Sequence, residues 1–164
     1  METATIIRHI RLQVGYLHRN GVDYATLQRE IFGVSDDHPA AVLYAGKRRG
    51  YFSLHDHGAE IYLNPMERTL YRLFLSHPEG IAADSLPLHW KELCNIYFKE
   101  SLYDDKSLME SKLESLCAES KTVFYSTISR IKKKFTIAIG PAIADAFIIK
   151  RDPNGLYKTS ATIQ

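Results

Sequence analysis

Between Thr122 and Phe135 the chain reads TVFYSTISRIKKKF, and no other stretch limits the fold as tightly. Phe124, Ile128, Ile131 and Phe135 recur at i, i+4, i+7 and i+11. With successive helical residues turned by about 100°, these four fall in one narrow sector. Thr122, Ser126, Ser129, Arg130 and Lys133 lie opposite, with Tyr125, Lys132 and Lys134 on the flanks. The pattern predicts a helix over about 122–135 with a thin apolar keel beneath a polar, basic deck. So narrow a keel is stable only when laid on other helices, because an isolated helix of this length is marginal in water. The deck is then either an ordinary solvated face or a surface offered to a polyanion.

The distribution of charge bears on that choice. The net charge of the 164-residue chain is only +2. Residues 1–60 are neutral, residues 61–120 carry −4 and residues 121–164 carry +6. A basic last quarter on a neutral-to-acidic body points to a polyanionic partner. Hydrophobic residues at 45% and charged residues at 24% are ordinary for a globular chain. At this length one domain, or one domain with an extension, buries a core without staples. No apolar run reaches about 18 residues, so no membrane partner is expected. The opening METATIIRHIRLQVGY lacks a secretory pattern, since charges interrupt its apolar positions. Cys94 and Cys117 stand alone, without metal-ligand spacing, and read as buried helix thiols in a reducing compartment. Together these features lead to the expectation of a cytoplasmic chain.

Along the chain, the first 35 residues leave helix and strand open. Ile10, Leu12, Val14 and Tyr16 alternate, whereas Ile6, Ile10, Val14 and Leu17 form a helical stripe interrupted by Gly15. A helix follows Asp23 and closes at Gly33. Three β-like runs, AVLYA, GYFSLHD and AEIYL, then predict an antiparallel meander. Asn64-Pro65-Met66-Glu67 is a strong helix start: an Asn cap, a proline at the first helical position and a glutamate that reaches back to the cap amide. Met66, Leu70, Leu73 and Phe74 line that helix until Pro78 stops it near Ser76 or His77. A second helix is expected over Leu86 to Lys99, with Trp90 on its apolar stripe as core. A third, acidic one is expected from Ser107, capped through Glu110. After the basic helix, Asp152-Pro153-Asn154-Gly155 marks a hairpin between strands at 147–150 and 156–159, made basic by Lys150, Arg151 and Lys158.

Catalytic constellations do not stand out. The sequence has no Gly-rich phosphate loop, no His-Glu-x-x-His and no nucleophile elbow. Asp36-Asp37 and Asp104-Asp105 read as turn formers. His55-Asp56-His57 reads as a turn with two exposed histidines rather than a metal site. The expectation is therefore a chain that is not an enzyme, with no catalytic residue, cofactor or metal.

The order of elements is more informative. A meander, then helices ending in a basic one, then a basic hairpin is the layout of a winged helix, an α+β fold. A single helix fits a major groove about 12 Å wide. At this point residues 51–160 resemble the effector domain of OmpR/PhoB-type winged-helix transcription regulators. IYLNPME takes the place of that family's entry to its first helix, with Asn64 in place of the usual threonine. LFLSHPEGI resembles the helix exit, ISRIKKKF the end of the recognition helix, and Gly155 with Tyr157 the Gly-x-Tyr part of the wing. Two departures accompany the likeness. Residues 100–120 insert an acidic helix, and residues 1–45 are too short for a phospho-receiver domain, so phosphorylation control is not implied.

The resemblance implies a bacterial, cytoplasmic transcription regulator with a helix-turn-helix that binds double-stranded DNA. Residues 46–164 would be the winged-helix domain and residues 1–45 an extension, a candidate element for a homodimer. Ser126, Ser129, Arg130 and Lys133 would face the groove, with Arg130 suited to a bidentate guanine contact, and Thr122 is a further DNA-binding candidate. Tyr125 would lie along the sugar-phosphate backbone, and Lys132, Lys134, Lys150, Arg151 and Lys158 would neutralise phosphates. The competing expectation is a winged helix used for protein interaction or assembly, since fold alone does not set function.

Overall fold

The structure, a computed structural model, describes residues 3–21, 41–46, 48–54, 57–102 and 105–164. The chain divides into two compact units, Met1–Pro39 and Ala40–Gln164. In the first, Thr3–Arg19 forms helix α1. The helical stripe thus prevails over the alternation, and Gly15 is accommodated. The helix expected after Asp23, the loop at 34–40 and two residues of the His55-Asp56-His57 turn lie outside the described residues.

The second unit is a mixed α+β fold of winged-helix-like topology, a helical core flanked by strands. Strands β1 (Val42–Ala45), β2 (Tyr51–Leu54) and β3 (Ala59–Tyr62) form the antiparallel meander. Helix α2 (Pro65–Ser76) follows, then β4 (Ile81–Ala82) and a 3-10 segment (Ala83–His89). Helices α3 (Trp90–Glu100), α4 (Lys106–Cys117), α5 (Thr122–Ile139) and the short α6 (Pro141–Ala144) come next. Strands β5 (Lys150–Arg151), β6 (Leu156–Lys158) and β7 (Thr162–Ile163) close the chain. β7 adds to the meander parallel to β1, giving the order β3-β2-β1-β7. The hairpin β5-β6 is extended by β4 into a second sheet, β4-β6-β5.

Helix α2 begins as its sequence dictates. The Asn64 side chain accepts a hydrogen bond from the Glu67 amide at 2.9 Å, and the Glu67 carboxylate accepts one from the Asn64 amide at 2.9 Å. Leu70, Tyr71, Leu73 and Phe74 are buried on its inner side. α2 is pinned to α3 at both ends. Near its start, Arg68 Nε donates to Glu100 Oε2 at 2.7 Å, and Arg72 Nε lies 2.6 Å from Glu100 Oε1. Arg68 and Arg49 also donate to the carbonyls of Glu100, Lys99 and Ser101. Cations are thereby placed at the otherwise unsatisfied end of α3. Gly50, at a φ of +89°, leaves room for the Arg68 guanidinium and the Tyr62 ring, both of which a Cβ there would crowd.

Three helix boundaries differ from expectation. The segment before Trp90 winds as a 3-10 helix instead of α, with Pro87 inside it. The Pro87 ring crowds the residue before it and disfavours α conformation at Leu86, which opposes a regular α start there. Trp90 is half-buried against the core. α4 is capped by Asp105, whose side chain accepts from the Leu108 amide at 3.2 Å, in place of the expected Ser107–Glu110 box. α5 runs one turn beyond Phe135, to Gly140 with φ of +79°. Cys94 and Cys117 are free and half-buried rather than fully buried, and burial pushes both thiols up.

The keel of α5 behaves as its spacing predicts. Phe124, Ile131 and Phe135 are fully buried and Ile128 packs partly against the core. Phe135 lies between Tyr71 of α2, at 5.3 Å between ring centroids, and Phe147, stacked at 5.8 Å. The Tyr71 hydroxyl donates to the Phe147 carbonyl at 2.6 Å, and Thr159 Oγ1 donates to the same oxygen at 3.0 Å. Burial pushes the Tyr71 phenol far above its ordinary range, so it remains a neutral donor. This cluster joins α2, α5 and the approach to the hairpin in one core.

Candidate nucleic-acid interface

The outer face of α5 is open. Thr122, Tyr125, Ser126, Ser129, Arg130, Lys132 and Lys133 are all exposed. The acidic helix α4 does not cover them. It turns Met109, Leu113 and Leu116 into the core and packs beside α3 and α5. The turn from α4 into α5 is tight, with Lys121 at φ of 55°, the one positive-φ non-glycine residue among those described. Its ammonium reaches Asp84 at 3.5 Å.

Exposure does not make every cation equally available. Glu67, with only 1% of its side chain exposed, receives Lys134 Nζ at 2.5 Å and faces Arg130 Nε at 3.6 Å. Lys134 is therefore half-buried on the inner flank, a residue of the α2–α5 joint. Arg130 keeps 54% of its side chain exposed and donates to Thr127 Oγ1 at 3.2 Å. Ser126 Oγ donates to the Val123 carbonyl within its own helix. Lys132 and Lys133 have no carboxylate partner among the described residues. Their ammonium groups are the uncommitted positive charges of the deck.

The hairpin stands beside this face through aromatic contacts. Tyr157 of β6 meets Phe124 edge-on at 5.2 Å and Tyr125 at 6.3 Å between centroids. Burial pushes the Tyr157 phenol up, with Tyr125 adding to the shift. Lys150 is paired with Asp145 at 2.7 Å and Lys158 with Asp152 at 3.2 Å. Arg151 is exposed and has no carboxylate partner among the described residues. Asp152 organises the turn: its carboxylate accepts from the amides of Asn154 at 2.8 Å and Leu156 at 3.0 Å. The Leu156 amide, with Lys158 and Asn154, holds its carboxyl below the usual range. Only Gly155 takes a positive φ, of +84°, so the turn does not have the two left-handed residues a two-residue Asn-Gly hairpin requires. The first strand is Lys150–Arg151 rather than 147–150, because Phe147 and Ile148 lie in the turn after α6, and the second is Leu156–Lys158.

A second polar cluster escapes a reading based on short motifs. His77, His89 and Glu92 bring potential ligand atoms within 4.8 Å of one another. His77 Nε2 is 2.9 Å from Glu92 Oε2, and His77 Nδ1 is 2.7 Å from Glu79 Oε1. The hydrogen bond to Glu92 chiefly, aided by Glu79, holds the His77 imidazole above its ordinary range. The only signal in the sequence is a pair of histidines 12 positions apart, on either side of a chain reversal. Of the histidines that do stand close in sequence, His57 packs edge-on to Phe147 at 5.9 Å.

Comparison with family models, with curated proteins and with solved structures gives no match to this chain. Among the described residues no helix is long and apolar enough to cross a membrane. The class defined by fold and surface is a winged-helix-like α+β module with an uncovered basic helix face, suited in topology to binding DNA or protein.

Proposed function

We propose that the chain is a DNA-binding protein, a transcription regulator of the OmpR/PhoB winged-helix type without a receiver domain. It acts by binding rather than catalysis. α5 enters the major groove of duplex DNA, and the hairpin from 147 to 159 lies on an adjacent phosphate row. The observation that carries the reading is the open α5 face, on which Lys132 and Lys133 are exposed and uncommitted next to an aromatic-anchored hairpin bearing Arg151. Ser126, Ser129 and Arg130 face the base edges, Thr122 and Tyr125 the backbone. Arg130 gives up a 3.6 Å approach to Glu67, longer than a hydrogen bond, to reach a guanine.

The test is an anisotropy titration on mixed-sequence duplex DNA at two salt concentrations. Binding should weaken steeply with salt, as phosphate neutralisation requires. No binding at low salt rejects the reading. A protein-interaction module is the second reading. It is favoured by the ion pairing of Lys134, Lys150 and Lys158, and by Ile137, which is 75% exposed on the last turns of α5. Under it, Ile137→Lys abolishes partner capture and leaves DNA affinity unchanged.

A further inference from the structure

We propose that His77, His89 and Glu92 form a binding site for one divalent transition-metal ion of the zinc type, with Glu79 orienting His77 from outside the ligand shell. The three ligands come from both ends of a chain reversal. His77 follows the last residue of α2, His89 ends the 3-10 segment, and Glu92 lies in the first turn of α3. This is the end of the α2–α3 pair opposite to the one held by Arg68, Arg72 and Glu100.

Two of the three ligand pairs are close to the spacing such an ion needs, and all three ligand atoms lie within 4.8 Å of one another. His77 Nε2 and Glu92 Oε2 are 2.9 Å apart, and His89 Nδ1 and Glu92 Oε2 are 3.6 Å apart. In a tetrahedral shell with bonds of about 2.0–2.1 Å, neighbouring ligand atoms stand about 3.3 Å apart, between these two values. The two imidazole rings are 4.7 Å apart between centroids and steeply inclined at 72°, so they converge without stacking. The far nitrogen of His77 is held by Glu79 Oε1 at 2.7 Å. A carboxylate in that place is the usual outer partner of a metal-bound histidine, since it fixes the tautomer and strengthens the ligand.

Two imidazoles and one carboxylate select zinc, cobalt or nickel over calcium and magnesium, which prefer all-oxygen shells. The site is neither sealed nor fully open: side-chain exposure is 21% for His77, 24% for His89 and 38% for Glu92. Three protein ligands at the surface leave a fourth position for water. Ion binding at this place fastens the α2–α3 corner and so stabilises the platform on which α5 lies. The proposal does not depend on DNA binding.

The test uses the full chain and two probe ions. Zinc is titrated by calorimetry, and cobalt by its visible absorption, which is intense only in a tetrahedral shell. The expected result is one equivalent of either ion bound through this cluster. Affinity should fall at least 10-fold in His77→Gln and in His89→Gln. It should fall about 10- to 100-fold in Glu79→Gln, which keeps all three ligands. Excess magnesium should not compete. His89 and Glu79 lie outside the core, so those variants keep the test informative if His77→Gln does not fold. Failure of the wild-type chain to bind either ion overturns the proposal. So does unchanged affinity in His89→Gln, which would place the ion elsewhere.

Discussion

Lys134 Nζ lies 2.5 Å from Glu67 Oε2, and this contact ties the basic helix to the first turn of α2. One carboxylate thus closes the cap of α2, receives Lys134 and faces Arg130 at 3.6 Å. Glu67→Gln should destabilise the protein by about 2–3 kcal/mol. Losing one partner of a buried ion pair costs roughly 3–5 kcal/mol, and the figure is reduced here because Lys134 and Arg130 can turn to water. Urea unfolding measures it, and a loss below about 0.5 kcal/mol would show that the pair is not structural.

Gly50 is a second point where the lack of a side chain decides the packing. Alanine there meets both the backbone cost of a φ of +89° and a Cβ that crowds the Arg68 guanidinium and the Tyr62 ring. The conformation alone costs about 1–3 kcal/mol. Displacing Arg68 also loosens its bond to Glu100, so Gly50→Ala should lower stability by more than about 2 kcal/mol. Gly50→Ala should cost less in an Arg68→Ala background than in the wild-type chain, the remainder being the backbone cost and the Tyr62 contact; an equal cost in both backgrounds would show that Arg68 is not the neighbour that matters.

The start of α2 was legible in the sequence because capping is local: Asn64 and Glu67 are three residues apart and their chemistry needs no tertiary context. The keel of α5 was legible for a similar reason, since Phe124, Ile131 and Phe135 declare one face by periodicity. Partnership across the fold was not. Nothing near Lys134 indicates that it meets Glu67, 67 positions earlier, and nothing near Thr162 indicates that it pairs with Val42. His77 and His89 likewise converge only because the chain reverses through β4 and the 3-10 segment. At α4 two local caps competed, and Asp105 prevailed over Ser107. Aspartate and serine are near-equal N-caps, so sequence alone does not rank them.

The hairpin turn should respond to acid through Asp152. Its carboxyl is held below the ordinary range by the Leu156 amide first, then by Lys158 and the Asn154 amide. A lowered native pKa means that its contribution is complete above the ordinary aspartate range and is lost as pH falls through the lowered value. Hydrogen exchange at the Asn154 and Leu156 amides should therefore accelerate, relative to the α5 amides, only below that range. In Asp152→Ala the two amides should exchange fast at every pH, with no acid transition. Retention of the transition in that variant would assign it to another group.

The two kinds of lysine on α5 should separate in DNA binding. Lys132 and Lys133 are exposed and uncommitted, whereas Lys134 is spent on Glu67. Each phosphate contact contributes about 0.9 to the slope of log affinity against log salt on duplex DNA. Lys132→Ala and Lys133→Ala should each flatten that slope by about 0.9 and leave the urea midpoint unchanged. Lys134→Ala should do the reverse: it uncovers Glu67 and lowers the urea midpoint while leaving the slope within error. An equal change of slope in all three variants would mean that the Glu67 pair opens when DNA binds, and that the deck is a uniform charged surface rather than a sorted one.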